Sequence, residues 1–288
     1  MTAAPHATTV RPEFHSGRPS GVGARRDHST PALAGAASIW LSVIVLLPLS
    51  EIVWQSAKGG PGAFWTAITS PAALASFRVT LTVAVGVTVV NAIFGLLVAW
   101  VLTRDDFPGR RLVDAVIDLP FALPTIVASL VMLALYGPGS PVNLQLQHTR
   151  WGIGVALLFV TLPFVVRSVQ PVLMELDHEV EEAAASLGAS NPVIFARVVL
   201  PALLPSLLSG AGLAFARAIG EFGSVVLIGG AIPGETEVSS QWIRTLIEND
   251  DRTGAAAVSI VLLTVSFLVL LVLRTLGSRA ARREELAR

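Results

Sequence analysis

Long uncharged apolar runs alternate with short polar segments along this chain, and the runs exceed what the core helices of a soluble domain need. Four carry no charged residue: 29–50, 79–103, 119–149 and 253–273. About 20 apolar residues cross the hydrocarbon core of a bilayer, so each run predicts a span. Two more, 151–173 and 200–229, are apolar around an internal arginine, Arg167 and Arg217. The pattern predicts an all-α membrane protein with six transmembrane helices. Run 200–229 would be about 45 Å long as one helix, longer than a perpendicular crossing, so one end is expected outside the core.

Composition agrees: 53% of the 288 residues are hydrophobic and 14% charged, far from the balance of a soluble enzyme or a nucleic-acid-binding protein. The net charge is zero, but its distribution is lopsided. With a cytoplasmic N-terminus, thirteen of the twenty Lys and Arg residues fall on inner segments. Five fall outside (Lys58, Arg78, Arg150, Arg244 and Arg252) and two lie within spans. Positive charge on short loops marks the cytoplasmic side, so both termini are expected there, with segment 175–200 between the fourth and fifth crossings. The expected organisation is a disordered cytoplasmic tail over 1–35, a transmembrane domain over 36–277 and a basic cytoplasmic tail over 278–288. The tail is too polar for the apolar core of a signal peptide.

Catalytic and metal chemistry find no support. His6, His15 and His28 lie in the tail, His148 in an outer loop and His178 in an inner one, with no two at metal-ligand spacing. There is no cysteine, hence no disulfide or thiolate site. The one lysine, Lys58, is followed by Gly59, so the chain lacks the lysine–Ser/Thr pair with which a Walker loop holds phosphates and magnesium. If transport here is driven by ATP, a separate polypeptide hydrolyses it.

Segment 175–201 is unlike its apolar neighbours. Glu175, Asp177, Glu179, Glu181 and Glu182 load the start of a helix with negative charge, favourable at the positive end of its dipole. Ala183, Ala184 and Ala185 propagate it, Gly188 permits a turn, and Ser190, Asn191 and Pro192 restart the chain, predicting two short helices that meet at an angle. The plainer reading is an amphipathic connector. The spacing is more specific: Glu182-Ala183-Ala184, three residues, Gly188, nine residues, Val198, then Leu200-Pro201. It resembles the cytoplasmic coupling motif of ABC importer permeases, with Val198 in place of the usual isoleucine. That resemblance implies the type I importer permease architecture, with a core over about 75–277 and a coupling segment over 175–200. It also implies that Glu182, Ala183, Ala184, Gly188 and Ala189 contact the ATPase.

The resemblance extends over most of the chain. NAIFGLLVAWVLTRDDFPGRRLVDAVIDLPFALPT (91–125), FVVRSVQPVL (164–173), IPGETE (232–237) and GAAAVSIVLL (254–263) look like the T-type permease subunit of bacterial sulfate/thiosulfate importers. FARAIGEFGSVVLIGG (215–230) is similar in molybdate permeases too, and the outer loop between Tyr136 and Trp151 is shorter than is usual in the family. The implied assembly in the bacterial inner membrane is a heterodimer with a W-type permease, two copies of the ATPase, which uses ATP and Mg, and an external sulfate-binding protein. The chain itself would bind no cofactor. A molybdate or tungstate permease, an ion-coupled anion carrier working alone and a membrane-anchored scaffold stay open as alternatives.

Arg217 and Glu221 stand four residues apart, which predicts one helical face, and either pair with each other or face a passing anion. Arg167 lies close enough to the inner interface to snorkel. Gly212, Ala216, Gly220 and Ser224 recur every fourth residue as a small-residue ridge, suited equally to a subunit interface and to an internal seam.

Overall fold

Three helix starts in this chain, those at Pro71, Arg150 and His178, are set by a short polar side chain placed just ahead of free amides. The computed structural model describes residues 29–287, with side chains from 33 to 279. The first apolar span, Leu33–Ala57, contains most of α1 (Ser29–Leu41), a π turn (Ser42–Leu46) and α2 (Leu47–Ala57). A short α3 (Gly60–Thr69) precedes α4 (Pro71–Arg104), which Ser70 caps by accepting from the Ala73 amide at 3.3 Å. Then come α5 (Arg110–Ile117), α6 (Leu119–Ala122) and α7 (Thr125–Tyr136), followed by α8 (Arg150–Glu175), which Thr149 caps through the Gly152 amide at 3.1 Å. The polar insert forms α9 (His178–Ser186). Next are α10 (Asn191–Ile194), a second π turn (Phe195–Val199), α11 (Leu200–Ile219), α12 (Gly223–Gly229), α13 (Ser239–Glu248) and α14 (Arg252–Ala287). The chain parts into two units: residues up to Pro48, and Leu49 onwards.

Among the described residues five helices are long and apolar enough to cross a membrane, and the bent pair Arg110–Ala122 and Thr125–Tyr136 makes a sixth when counted as one span. The expectation of six spans therefore holds, but two runs that read as continuous are broken. Within 119–149 the chain turns by 115° between Ala122 and Thr125, because Pro124 cannot donate to the turn before it, and everything after Tyr136 is loop. Run 200–229 stops at Ile219 and restarts at Gly223. The N-terminal tail falls almost wholly outside the described residues; from Ser29 the chain is helical, and α14 stays helical as far as Ala287.

In the second unit, α8 is the hub. Gly95 lets α4 approach it so closely that a Cβ there would sit 2.7 Å from Val165 Cγ1. Gly210 does the same for α11, with Ser168 Cβ 2.9 Å from the Cβ position. Asn91 on α4 donates to Thr161 Oγ1 at 2.8 Å and to the Leu158 carbonyl at 3.2 Å, both on α8. Small residues and interhelical hydrogen bonds are the means by which membrane helices associate, since burying apolar surface against lipid-like surroundings gains little.

The loop after α12 folds under Thr236, which donates to the Gly229 carbonyl at 2.6 Å and accepts from the Ile232 amide at 3.0 Å. Glu237 beside it is 5% exposed. Burial pushes its carboxyl above the usual glutamate range, against an opposing hydrogen bond from Thr245. A raised native pKa means the native state holds this proton more tightly than the unfolded chain. The ionised group therefore opposes folding above the raised pKa, and the effect vanishes below the ordinary value of about 4.3. Glu237→Gln is expected to raise the melting temperature in detergent at pH 8 and leave it unchanged near pH 4.

Candidate functional site

The polar insert is built as a small helix with an inner and an outer face. Asp177 caps α9 by accepting from the Glu179 amide at 3.0 Å, and Glu179 and Glu181 fill its first turn. At the other end Gly188 takes φ +89°, a conformation that glycine adopts without a Cβ penalty. This lets the Gly188 amide reach the Ala185 carbonyl at 2.9 Å and the Ala189 amide reach Ala184 at 3.1 Å. Ala184 and Ala189 pack inward on the apolar cluster that holds Leu173, Ile194 and Val199. Glu182, Ala183 and Gly188 face outward, beside Leu187, which is 91% exposed. The five residues singled out in the sequence thus divide into three on the open face and two that seat the helix.

The second helix expected in the insert is not separate. α10, the π turn and α11 run as one span, Asn191–Ile219, in which the Leu200 amide bonds to the Phe195 carbonyl. The wider turn lets Pro192 and Pro201 begin helical segments without interrupting the apolar run, so the insert opens directly into the fifth crossing.

At the other candidate site, two helix breaks lie side by side. Gly223 starts α12 where a Cβ would overlap Thr125 Oγ1 at the start of α7. Ser129 Oγ on α7 accepts from the Leu227 and Ile228 amides of α12 at 3.0 and 3.3 Å. Both breaks border an open cleft of about 560 Å³, lined by Pro124, Thr125, Arg217, Gly220 and Phe222 among others. Arg217 reaches this cleft from the last turn of α11 and pairs with Glu221. Glu221 lies beyond the helix end, not on one helical face with Arg217 as its spacing predicts, because Gly220 terminates α11. Its carboxylate, 1% exposed, also accepts from the Ser224 amide at 2.8 Å and so caps α12.

Residues 91–282 match the family of binding-protein-dependent transport system inner membrane components. The chain belongs to this family. Among curated relatives of the permease, the sulfate transport system permease protein CysT of Escherichia coli (strain K12) is 44% identical over 256 residues, 86% of this chain and 92% of that one. The protein of the same name from Synechococcus elongatus is 42% identical over 251 residues, covering 85% and 90%. Among solved structures, a bacterial ABC transporter involved in import of the acidic polysaccharide alginate superposes with a TM-score of 0.73 at 18% identity, covering 88% of this chain and 96% of that one. The MetNI methionine ABC transporter gives 0.57 at 20% identity, covering 71% and 94%. These structures share the permease fold, and the protein is a multi-pass component of the inner membrane.

Arg167 of the permease is clamped by two aspartates. It donates to Asp118 Oδ1 and Oδ2 at 2.8 and 2.7 Å, to Asp114 Oδ1 at 2.7 Å, to the Asp114 carbonyl at 2.9 Å and to Gln170 Oε1 at 2.5 Å, tying α8 to the α5–α6 joint. Sequence reasoning passed over Asp114 and Asp118, although two acids four residues apart beside an apolar run are a signal that a cation faces them. The small-residue ridge is not continuous. Gly212 is buried, and a Cβ there would lie 3.1 Å from Leu270 on α14; Gly220 ends α11, and Ser224 belongs to α12. Gly212 at least belongs to an internal seam. Among the described residues no cluster of three or more His, Cys, Asp or Glu side chains could hold a metal ion.

Proposed function

We propose that this chain is the permease subunit of an ATP-driven sulfate importer, forming half of the translocation pathway and coupled through α9 to a separate ATPase. The observation that carries this reading is the insert itself. Its inner face is packed and its outer face, with Glu182, Ala183, Leu187 and Gly188, is open to a partner. Lys58-Gly59 leaves the chain without a phosphate-gripping loop, so the partner brings ATP and Mg. The sulfate assignment draws on the relatives named sulfate permeases, and thiosulfate is a second candidate cargo. The assembly we infer is a heterodimer with a W-type permease, two ATPase copies and an external sulfate-binding protein, with both termini and α9 on the cytoplasmic side. Arg217, half exposed beside the paired helix breaks, gives the pathway a cation whose charge Glu221 largely balances. A balanced charge suits passage, because a site that grips a dianion tightly releases it slowly.

Reconstitution with these partners and labelled sulfate in proteoliposomes tests the proposal. ATP-dependent uptake that thiosulfate inhibits is the expected result. Uptake driven by an ion gradient without ATP would overturn it in favour of a carrier. Strong inhibition by molybdate with weak sulfate uptake would reassign the cargo.

A further inference from the structure

Arg104 is the last residue of α4, and its side chain turns back under the insert instead of entering solvent; it is only 9% exposed. One guanidinium nitrogen donates to Glu181 Oε1 at 2.5 Å and another meets the imidazole of His178, both on α9. The cation lies 5.5 Å from the Trp100 ring centroid one turn earlier. Trp100 in turn packs edge-to-face against Phe195, with centroids 5.4 Å apart, at the start of the π turn that leads into α11. The end of α4 therefore holds α9 with one side chain and the root of the fifth span with another.

α4 is continuous for 34 residues, about 51 Å at 1.5 Å per residue. Towards its far end Thr80 Oγ1 accepts from the Ser239 amide at 2.8 Å, where α13 begins, and donates to the Ser239 hydroxyl at 3.1 Å. No helix break interrupts the path between Arg104 and Thr80. A displacement of α9 that drags Arg104 is thus delivered, through one unbroken helix, to the segment that follows the paired breaks.

We propose that Arg104 is a positioning residue for coupling: it locks α9 to α4, so that movement of the insert reaches the opposite end of the permease. Arginine suits the role because its planar fork addresses a carboxylate and an imidazole together while its face lies on an indole, which a lysine cannot reproduce. This inference rests on the reading of the chain as an ATP-driven permease.

The test uses the reconstituted importer and reads sulfate taken up per ATP hydrolysed, with the amount of co-purified ATPase as a control on assembly. Arg104→Gln and Glu181→Gln are each expected to lower that ratio by about tenfold, within the range usual for coupling between sites, while the ATPase co-purifies as before. The double variant should be no worse than Arg104→Gln alone, since that variant already removes the contact to Glu181. Arg104→Lys, which keeps the charge but not the fork, should fall between, and it carries the test if the glutamine variant does not fold. An unchanged ratio in the single variants, a double variant that multiplies the two losses, or loss of the ATPase from correctly folded permease would each overturn the proposal. Absence of ATP-driven uptake by the unmodified assembly is a different result and counts against the functional reading instead.

Discussion

Replacing Gly188 with arginine is expected to uncouple the importer, with sulfate uptake falling at least about tenfold, a coupling loss of about 1.4 kcal/mol or more, while the ATPase continues to turn over. Two effects act together. Gly188 sits at φ +89°, where any L-residue other than Asn or Asp incurs roughly 1–2 kcal/mol of strain, and relief of that strain would unmake the turn that closes α9. No atom lies within 4 Å of a Cβ built there, so the new side chain is not expelled by a clash. It projects from the open face beside Leu187, where the proposed partner must approach. Gly188→Asn separates the two effects, since asparagine tolerates the left-handed conformation and adds little bulk. It should retain most uptake, and Gly188→Ala should lie between. Normal ATP-driven uptake by Gly188→Arg would remove the insert from the coupling mechanism.

The largest effect on stability is expected at Arg167. Arg167→Ala leaves Asp114 and Asp118 facing each other without the cation that bridges them. Breaking a buried pair costs about 3–5 kcal/mol, and partial exposure of these carboxylates reduces the expected loss to about 2 kcal/mol. Thermal unfolding in detergent should show a lower midpoint, and adding Asp114→Asn and Asp118→Asn to the same variant should restore part of it, because the repulsion is then gone. If Arg167→Ala unfolds at the unmodified temperature, the clamp contributes nothing. Because Asp118 sits at the joint between α5 and α6, just ahead of the bend into α7, the loss should also loosen that bend. Protease sensitivity between residues 118 and 125 would report it.

Much of this architecture could be read from the order of apolar and polar residues, because a bilayer requires long apolar spans and the polar insert is the one acidic, alanine-rich interruption. What the runs conceal are the breaks. Leu123-Pro124 and Gly220-Glu221-Phe222 interrupt helices without interrupting hydrophobicity in any way that a window average detects; Pro124 signals its break, and Gly220-Glu221-Phe222 does not. Partnerships were hidden for a different reason. Arg104 meets Glu181 from 77 positions away, and Arg167 meets Asp118 from 49 positions away. Spacing rules for one helix cannot see such pairs. They could see Arg217 and Glu221, and they still mistook a contact across a helix terminus for one along a helical face.

The π turn at Phe195–Val199 gives the motif's spacing a meaning beyond recognition. Each residue of an α-helix advances its side chains by about 100°, so the count between Gly188 and Leu200 fixes an angle as well as a length. The wide turn absorbs one residue in that count. Deleting a residue there would tighten the turn towards α geometry, or else rotate the seated face of α9 by about 100° relative to Arg217 at the far end of the same helix. On the proposed reading, the nine-residue interval works as a phase setting between the part of the permease that the ATPase pushes and the part that the cargo passes.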